Sequence, residues 1–230
     1  MRALCCAATM MLAAIPCFAQ AGPNSSTMSS ASAAATLMTE QVSIKSVNTA
    51  LPGIIENVAG NDKHAAVLIV ADGDAKSVAT ARKMAKLFAA HGIVALTYEA
   101  ANATTADASA AADVLRHRGD VMSDKIGIMT LGSASSVIAD VTKSQSLRYA
   151  IAIDKSTNPD IFSDMSQKVL LVRPTDDAFS DASEKTRRTA EKHNKNLTFW
   201  LSTTDDANAI TNSDSALLGR VLGWATDRSA

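Results

Sequence analysis

One stretch of the chain, KIGIMTLGSASSVI at residues 125–138, decides how the rest is arranged. Residues 126–131 form a mostly apolar run, which is typical of a strand that is buried on both faces of a sheet. Small residues follow at once in the order Gly-Ser-Ala-Ser, and serine is favoured at the N-cap of a helix. The stretch therefore predicts a buried strand that turns tightly into a helix.

Strands alternate with helices on both sides of this unit. Two strands, at residues 42–47 and 51–56, come first and suit a hairpin. Further strands are predicted at residues 65–70, 93–98, 149–153, 168–173 and 197–201. Helices are predicted at residues 77–91, 104–118, 133–143, 181–193 and 213–227. This alternation predicts an α/β fold in which helices cover both faces of a mostly parallel sheet of about eight strands.

The N-terminal part of the chain differs in composition from the rest. Residues 1–21 have the pattern of a signal peptide, with Arg2 ahead of an apolar run at residues 3–15 and small residues at the end. Residues 22–39 are rich in Ser and Ala, and we interpret them as a flexible leader because they bury too little apolar surface to offset the entropy of ordering. We therefore predict an exported protein, periplasmic or secreted, with one domain at residues 40–230.

The cysteine content and the charge narrow the classes of partner. All three cysteines, Cys5, Cys6 and Cys17, lie in the predicted signal peptide, so the mature chain is expected to have no disulfide and no Cys-based metal site. The chain has 22 basic and 23 acidic residues, and this near balance gives no reason to expect a nucleic acid or an anionic membrane as partner. The apolar run at residues 3–15 is too short to span a membrane, so no integral segment is expected after removal of the signal. We predict no cofactor, no metal ion, and an unidentified small molecule or protein as partner, and the oligomeric state stays open.

Four segments resemble the dienelactone-hydrolase-like group of the α/β-hydrolase superfamily, and the likeness covers nearly the whole mature chain. Residues 65–74 (AAVLIVADGD) and 85–96 resemble that group's opening strand, first helix and second parallel strand. Residues 169–177 (VLLVRPTDD) resemble the strand that carries the triad acid, and residues 201–206 (LSTTDD) resemble the segment that carries the triad histidine. The resemblance implies an α/β-hydrolase-like three-layer sandwich without a lid domain. It also implies chemistry by a nucleophile, a histidine that takes its proton and an acid that orients the histidine.

In that superfamily the nucleophile lies in a Gly-x-Ser-x-Gly elbow between a strand and a helix. Counting from the strand without a gap puts Gly132 at the nucleophile position. Sliding by one residue puts Ser133 there, but Leu131 and Ser135 then replace the two glycines. The register stays open, and Ser133 is the candidate nucleophile, with a helix N-cap as its simpler role.

Two turns are candidates for binding negative charge. Gly132, Ser133 and Ala134 lie at a predicted helix N-terminus, where free backbone amides favour an anion. Asp72 and Gly73 lie where the resembling family has an oxyanion-hole amide, although a carboxylate there would oppose a developing oxyanion.

The rest of the predicted triad is incomplete. Asp177, beside Asp176, occupies the acid position, and a surface turn is its simpler interpretation. The histidine position falls on or next to Asp206. The four histidines of the chain precede a predicted strand or close a predicted helix: His64, His91, His117 and His193. Strand starts and helix ends lie at one edge of a parallel sheet, whereas reacting groups lie at the other, the carboxyl edge.

The distance between the two edges of the sheet determines whether a histidine can act as the triad base. A six-residue strand spans roughly 20 Å, whereas proton transfer needs about 2.6–3.2 Å. We therefore predict a pseudo-hydrolase that has lost its triad base and has a binding role at the carboxyl edge. The alternative is a weak serine hydrolase of small esters that acts through Ser133.

Acidic residues suggest two further interpretations. Eight acids fall at or after predicted strand ends: Asp72, Asp74, Glu99, Asp154, Asp176, Asp177, Asp205 and Asp206. A shared acidic edge favours a cation or a basic partner, and solvated turn acids are the simpler explanation. The order Asp72-Gly73-Asp74 after a strand also resembles the nucleophile motif of haloacid-dehalogenase-like phosphatases, a remote alternative that would imply Mg²⁺.

Overall fold

A computed structural model describes residues 36–47, 49–60, 62–99, 103–154, 157–174, 181–202 and 215–229, except the side chains of 215 and 216. Its strands are β1 (Leu37–Lys45), β2 (Ala50–Val58), β3 (His64–Ala71), β4 (Ile93–Tyr98), β5 (Val121–Leu131), β6 (Tyr149–Ile153), β7 (Lys168–Pro174) and β8 (Leu197–Ser202). Its helices are α1 (Ala75–Ala90), α2 (Thr105–Arg116), α3 (Ile138–Ser144), α4 (Asp181–His193) and α5 (Ser215–Ser229).

The eight strands form one sheet in the order β1-β2-β4-β3-β5-β6-β7-β8. Strands β1 and β2 form an antiparallel hairpin, and β2 also pairs antiparallel with β4. The other neighbours are parallel, because a helix or a longer connection returns the chain to the same edge before each next strand. The predicted mostly parallel sheet and the leading hairpin are confirmed.

Helices cover both faces of the sheet, so the predicted three-layer arrangement is also confirmed. One apolar cluster joins the sheet to α2, α3 and α4, and the other joins it to α1 and α5. Strand β3 shows why both faces are apolar: Leu68 and Val70 belong to the first cluster, whereas Val67 and Ile69 belong to the second. All four are fully buried, as expected for a central strand covered on both sides.

The centre of β5 passes beneath an aromatic ring of the neighbouring strand. A Cβ added at Gly127 would lie 2.2 Å from Cζ of Tyr149, so only glycine fits there. Tyr149 is fully buried and meets Trp224 of α5 edge-on, with 5.8 Å between ring centroids and an interplanar angle of 84°. This contact packs α5 against the middle of the sheet.

Some element boundaries differ from the predictions. Strand β1 begins at Leu37, inside the predicted leader at residues 22–39, because antiparallel pairing of Leu37 with Val58 orders residues whose composition favours no structure. The helix predicted at residues 133–143 begins instead with a 3-10 helix, Gly132–Val137, which continues into α3.

The predicted signal peptide and most of the predicted leader lie outside the described residues, so both stay predictions. None of the helices in the described ranges combines the length and the apolar character that crossing a membrane requires.

Candidate functional site

The sharp turn between β5 and the following helix is made by Gly132. Its φ of +62° lies in the left-handed region, which glycine adopts without the steric cost that a Cβ brings. In a nucleophile elbow the reactive residue is the one on this strained strand-to-helix turn. Ser133 comes one residue later, on the exposed surface of the 3-10 helix, and Ala134 is buried beneath it.

A carboxylate from the end of β3 fills the space beside this turn. The Oδ2 atom of Asp72 accepts a hydrogen bond from the backbone amide of Ser133 at 3.3 Å. A Cβ built at Gly132 would lie 2.3 Å from the same oxygen, much closer than side-chain atoms approach one another. Both the backbone angle and Asp72 therefore require glycine at position 132.

The hydroxyl of Ser133 has a long contact with the same carboxylate. Its Oγ lies 3.5 Å from Oδ2 of Asp72, beyond the roughly 2.5–3.0 Å of a good O–H···O hydrogen bond. Gly73, the next residue, lies in an exposed turn before α1. The predicted anion nest at residues 132–134 thus already has a negative group on its Ser133 amide, and that group is the chain's own Asp72.

The pKa values of the two neighbouring carboxyl groups of this turn, Asp72 and Asp74, are shifted in opposite directions. Burial raises the pKa of Asp72, and nearby Asp74 adds to the effect, whereas hydrogen bonds from Ser77 and the Ser133 amide oppose it. Asp74 is the N-cap of α1 and accepts bonds from the amides of Lys76 at 2.7 Å and Ser77 at 3.1 Å. Hydrogen bonding, chiefly from the Ser77 side chain, lowers the pKa of Asp74 to about 2. Asp74 therefore serves to begin the helix.

Replacing Asp72 by asparagine is expected to raise the midpoint of thermal unfolding at pH 7 and to have little effect at pH 3. A carboxyl whose pKa is raised by folding contributes stability below its ordinary pKa of 3.8 and loses it as the pH rises through the folded-state value. At neutral pH the carboxyl group is therefore a net cost to folding, and asparagine keeps an acceptor oxygen for the Ser133 amide. Melting curves between pH 3 and pH 7 measure the difference.

The matched control is Asp74→Asn, which is expected to lower the midpoint of thermal unfolding at pH 7. The lowered pKa of Asp74 contributes stability above 3.8 that is lost as the pH falls towards about 2. The control should thus be destabilised at pH 7 and approach the native protein at low pH. A pH-independent effect of Asp72→Asn would contradict the assigned cost of its charge.

All four histidines lie at the edge of the sheet away from this turn. His64 is the first residue of β3, whose opposite end leads to Asp72. The rings of His91 and His117 close α1 and α2, where each Nδ1 contacts a helix carbonyl oxygen, at 2.9 Å and 2.8 Å. His193 is the last residue of α4. This placement follows the prediction, because each helix returns the chain to the edge at which the next parallel strand begins.

Two of the predicted triad positions lie outside the described residues. Asp177 and Asp206 are among them, together with their neighbours Asp176 and Asp205. Their roles stay predictions.

The other acids at the carboxyl edge have partners within the chain. Glu99 pairs with Arg82, and Asp154 accepts a hydrogen bond from the hydroxyl of Thr157 at 2.7 Å. Within the described ranges no group of three or more His, Cys, Asp or Glu side chains is arranged to hold a metal ion. The suggested shared cation site therefore has no support among the described acids of this edge, Asp72, Asp74, Glu99 and Asp154, because each has a local partner.

The sequence reasoning missed two features near the edge. Thr130 and Ser135 are both buried under the turn, with their hydroxyl oxygens 3.1 Å apart, and their small polar side chains carry no distinctive pattern. Arg173 is a half-buried cation near the end of β7. A single arginine that interrupts an apolar strand was the available signal.

Comparison with solved structures identifies the fold. A dienelactone hydrolase from Anabaena variabilis is 13% identical and matches with a TM-score of 0.63, over 83% of this chain and 96% of its own. A dienelactone hydrolase-like promiscuous phosphotriesterase from metagenomic libraries is also 13% identical, with a TM-score of 0.62 over 83% of this chain and 98% of its own. Fungal esterases from Rhizomucor miehei match at 9% identity, with a TM-score of 0.65 over 85% of each chain.

At the level of sequence, no family model and no curated protein matches the chain. Its fold nevertheless matches those structures over more than four fifths of its length, with TM-scores of 0.62 to 0.65. The chain therefore has the α/β-hydrolase fold, in the form shared by dienelactone hydrolases and esterases.

Proposed function

We propose that this protein is an exported, non-catalytic protein with an α/β-hydrolase fold, and that it binds a small molecule or a protein at the carboxyl edge of its sheet. One observation carries the proposal: Oδ2 of Asp72 lies against Gly132 and accepts the Ser133 amide hydrogen bond. The carboxylate thereby takes the place in which a hydrolase of this fold needs a nucleophile and an oxyanion.

Three requirements of acyl transfer support this reasoning. The turn needs a nucleophilic side chain, and Gly132 has none. The oxyanion needs free amides that point at the developing charge, but the Ser133 amide is bonded to a carboxylate whose charge would repel it. The nucleophile also needs a base within hydrogen-bond reach, and the chain's histidines lie at the other edge of the sheet.

A weak serine hydrolase that uses Ser133 is the second candidate, and one contact favours it. The Ser133 Oγ lies 3.5 Å from Oδ2 of Asp72, so among the described residues this carboxylate is a candidate proton acceptor. The same oxygen also holds the Ser133 amide, so the base and the oxyanion would compete for one position. The phosphatase alternative is not proposed, because Asp74, its expected acid, caps α1.

Hydrolysis of short p-nitrophenyl esters by the native protein, by Ser133→Ala and by Ser136→Ala tests the proposal. Ser136 is an exposed serine of the same 3-10 helix and serves as the matched control. We expect all three proteins to leave the ester at its uncatalysed rate, while circular dichroism shows that each is folded. A rate above background that disappears in Ser133→Ala and persists in Ser136→Ala would establish the second candidate instead.

Export is proposed from the composition of residues 1–21. Expression of the full chain in a bacterium, followed by fractionation and mass spectrometry, tests it. The expected product is periplasmic or secreted and lacks these residues. A cytoplasmic product that keeps Met1 to Ala21 would contradict export and leave the proposed binding role untouched.

A further inference from the structure

Arg173 is a half-buried cation with few partners among the described residues. Its Nη2 donates to the carbonyl oxygen of Thr157 at 2.5 Å, and its guanidinium carbon lies 5.5 Å from the centre of the Phe199 ring. Its Nε is buried, and no acceptor for it is found among the described residues. Arginine stays charged in proteins, so among the described residues this positive group is only partly satisfied.

No described carboxylate forms an ion pair with Arg173. Asp154 acts on it only at longer range and is itself bonded to Thr157. Burial lowers the pKa of Arg173, which expresses the cost of this charge, and Asp154 opposes the shift. A buried charge with incomplete partners costs free energy. A charged group that is perturbed by burial and lies in a cleft is a candidate for a functional site.

A cleft opens beside this side chain. It has a volume of about 450 Å³ and runs between α4 and the segment of residues 158–160, with Arg173 in its wall. Small side chains on the facing surface of α4, such as Thr189 and Ala190, leave it open. Lys185 and His193 line it along the same helix, and eight residues of helix span about 12 Å. The cleft thus has the size of a site for a small metabolite.

The charges around the cleft restrict its ligand. Arg173 and Lys185 are positive, and Asp160 is the acid that faces them among the lining residues. The planar guanidinium suits the two oxygens of a carboxylate or a phosphate group. Asp160 repels a second negative charge, so a singly charged group fits better than a doubly charged one.

We propose that this cleft binds a small molecule carrying a singly charged oxyanion, such as a carboxylate or a phosphodiester, and that Arg173 holds that group. The inference rests on the proposed binding role and deepens it, since Arg173 lies near the carboxyl end of β7. From there the cleft continues along α4 as far as His193, so it extends beyond the carboxyl edge. The ligand's remaining part would lie along α4, over Ala190 and Pro159.

Titration calorimetry with hexanoate and with diethyl phosphate tests the site, and 1-hexanol is the uncharged control. We expect saturable binding of at least one anion and none of hexanol at the same concentrations. Arg173→Met keeps the apolar part of the side chain and removes the guanidinium group, so it should weaken anion binding at least ten-fold. Arg188→Met is the matched control, because Arg188 lies on α4 outside the cleft and is 74% exposed; it should bind like the native protein.

A second variant tests the site independently, in case Arg173→Met does not fold. Lys185 is exposed at the cleft, so Lys185→Gln leaves the core intact and should weaken anion binding about two- to three-fold, in line with an exposed charge interaction. The relative affinities of hexanoate and diethyl phosphate identify which oxyanion the cleft prefers.

The proposed site would be wrong if neither anion bound saturably. It would also be wrong if Arg173→Met and the native protein bound the anion with equal affinity. Neither result bears on the esterase measurements, which test the proposed loss of catalysis. Conversely, hydrolysis that depends on Ser133 would contradict the proposed non-catalytic function. It would not affect the evidence for an anion site that depends on Arg173.

Discussion

Replacing Gly127 by alanine is expected to lower the free energy of unfolding by about 3 kcal/mol, at the upper end of the range for overpacked cores. The added methyl group would lie 2.2 Å from the ring of Tyr149. Neither side can give way, because β5 is a central strand and Tyr149 is fully buried against Trp224. Urea unfolding monitored by circular dichroism measures the change.

Two comparisons separate this clash from the general effect of losing a glycine. Gly119→Ala is the control, because nothing lies within 4 Å of a Cβ at that position, and its effect is expected to stay within about 1 kcal/mol. In a Tyr149→Leu background the cost of Gly127→Ala should fall, since the ring that it meets has gone. Equal costs at positions 127 and 119 would show that the ring does not cover Gly127.

The second large effect on the free energy of unfolding is expected at Gly132. There the free-energy cost of adding a side chain should depend on whether Asp72 is present. Gly132→Ala places a Cβ on a residue with a φ of +62° and brings it to 2.3 Å from Oδ2 of Asp72. The left-handed backbone alone costs about 1–2 kcal/mol, and the clash adds to it. In an Asp72→Ala background only the backbone cost should remain, so the double-mutant cycle should give a coupling of about 1 kcal/mol.

Variants of the same pair of residues test the proposed absence of catalysis. Gly132→Ser, alone or with Asp72→Ala, is expected to leave p-nitrophenyl ester hydrolysis at background, because a serine at the turn still has no histidine within reach. Additive costs of Gly132→Ala and Asp72→Ala would contradict the contact between the two residues. Catalysis by Gly132→Ser with Asp72→Ala would reveal a base that the described residues do not supply.

The charge pattern at the carboxyl edge shows how far sequence reasoning reaches. The order of strands placed Asp72, Asp74, Glu99 and Asp154 at one edge, and the structure does so. Their partners were not predictable in the same way. Glu99 meets Arg82 from α1, and Asp154 meets Thr157 through a local turn. Such contacts depend on side-chain positions within a few ångströms, whereas the succession of strands along the chain follows from local runs of apolar residues.

The sequence by itself determined the succession of strands and helices, the mostly parallel character of the sheet, the leading hairpin and the placement of all four histidines away from the carboxyl edge. Continuous apolar runs and helix ends are local signals, and the direction of a parallel sheet turns them into positions. Only the tertiary structure decided which residue occupies the turn of the elbow and what lies beside it. Gly132 takes its left-handed conformation next to Asp72, which reaches the turn from β3, and Arg173 faces a cleft formed by α4. These arrangements arise where segments distant in the chain converge, and local periodicity carries no information about them.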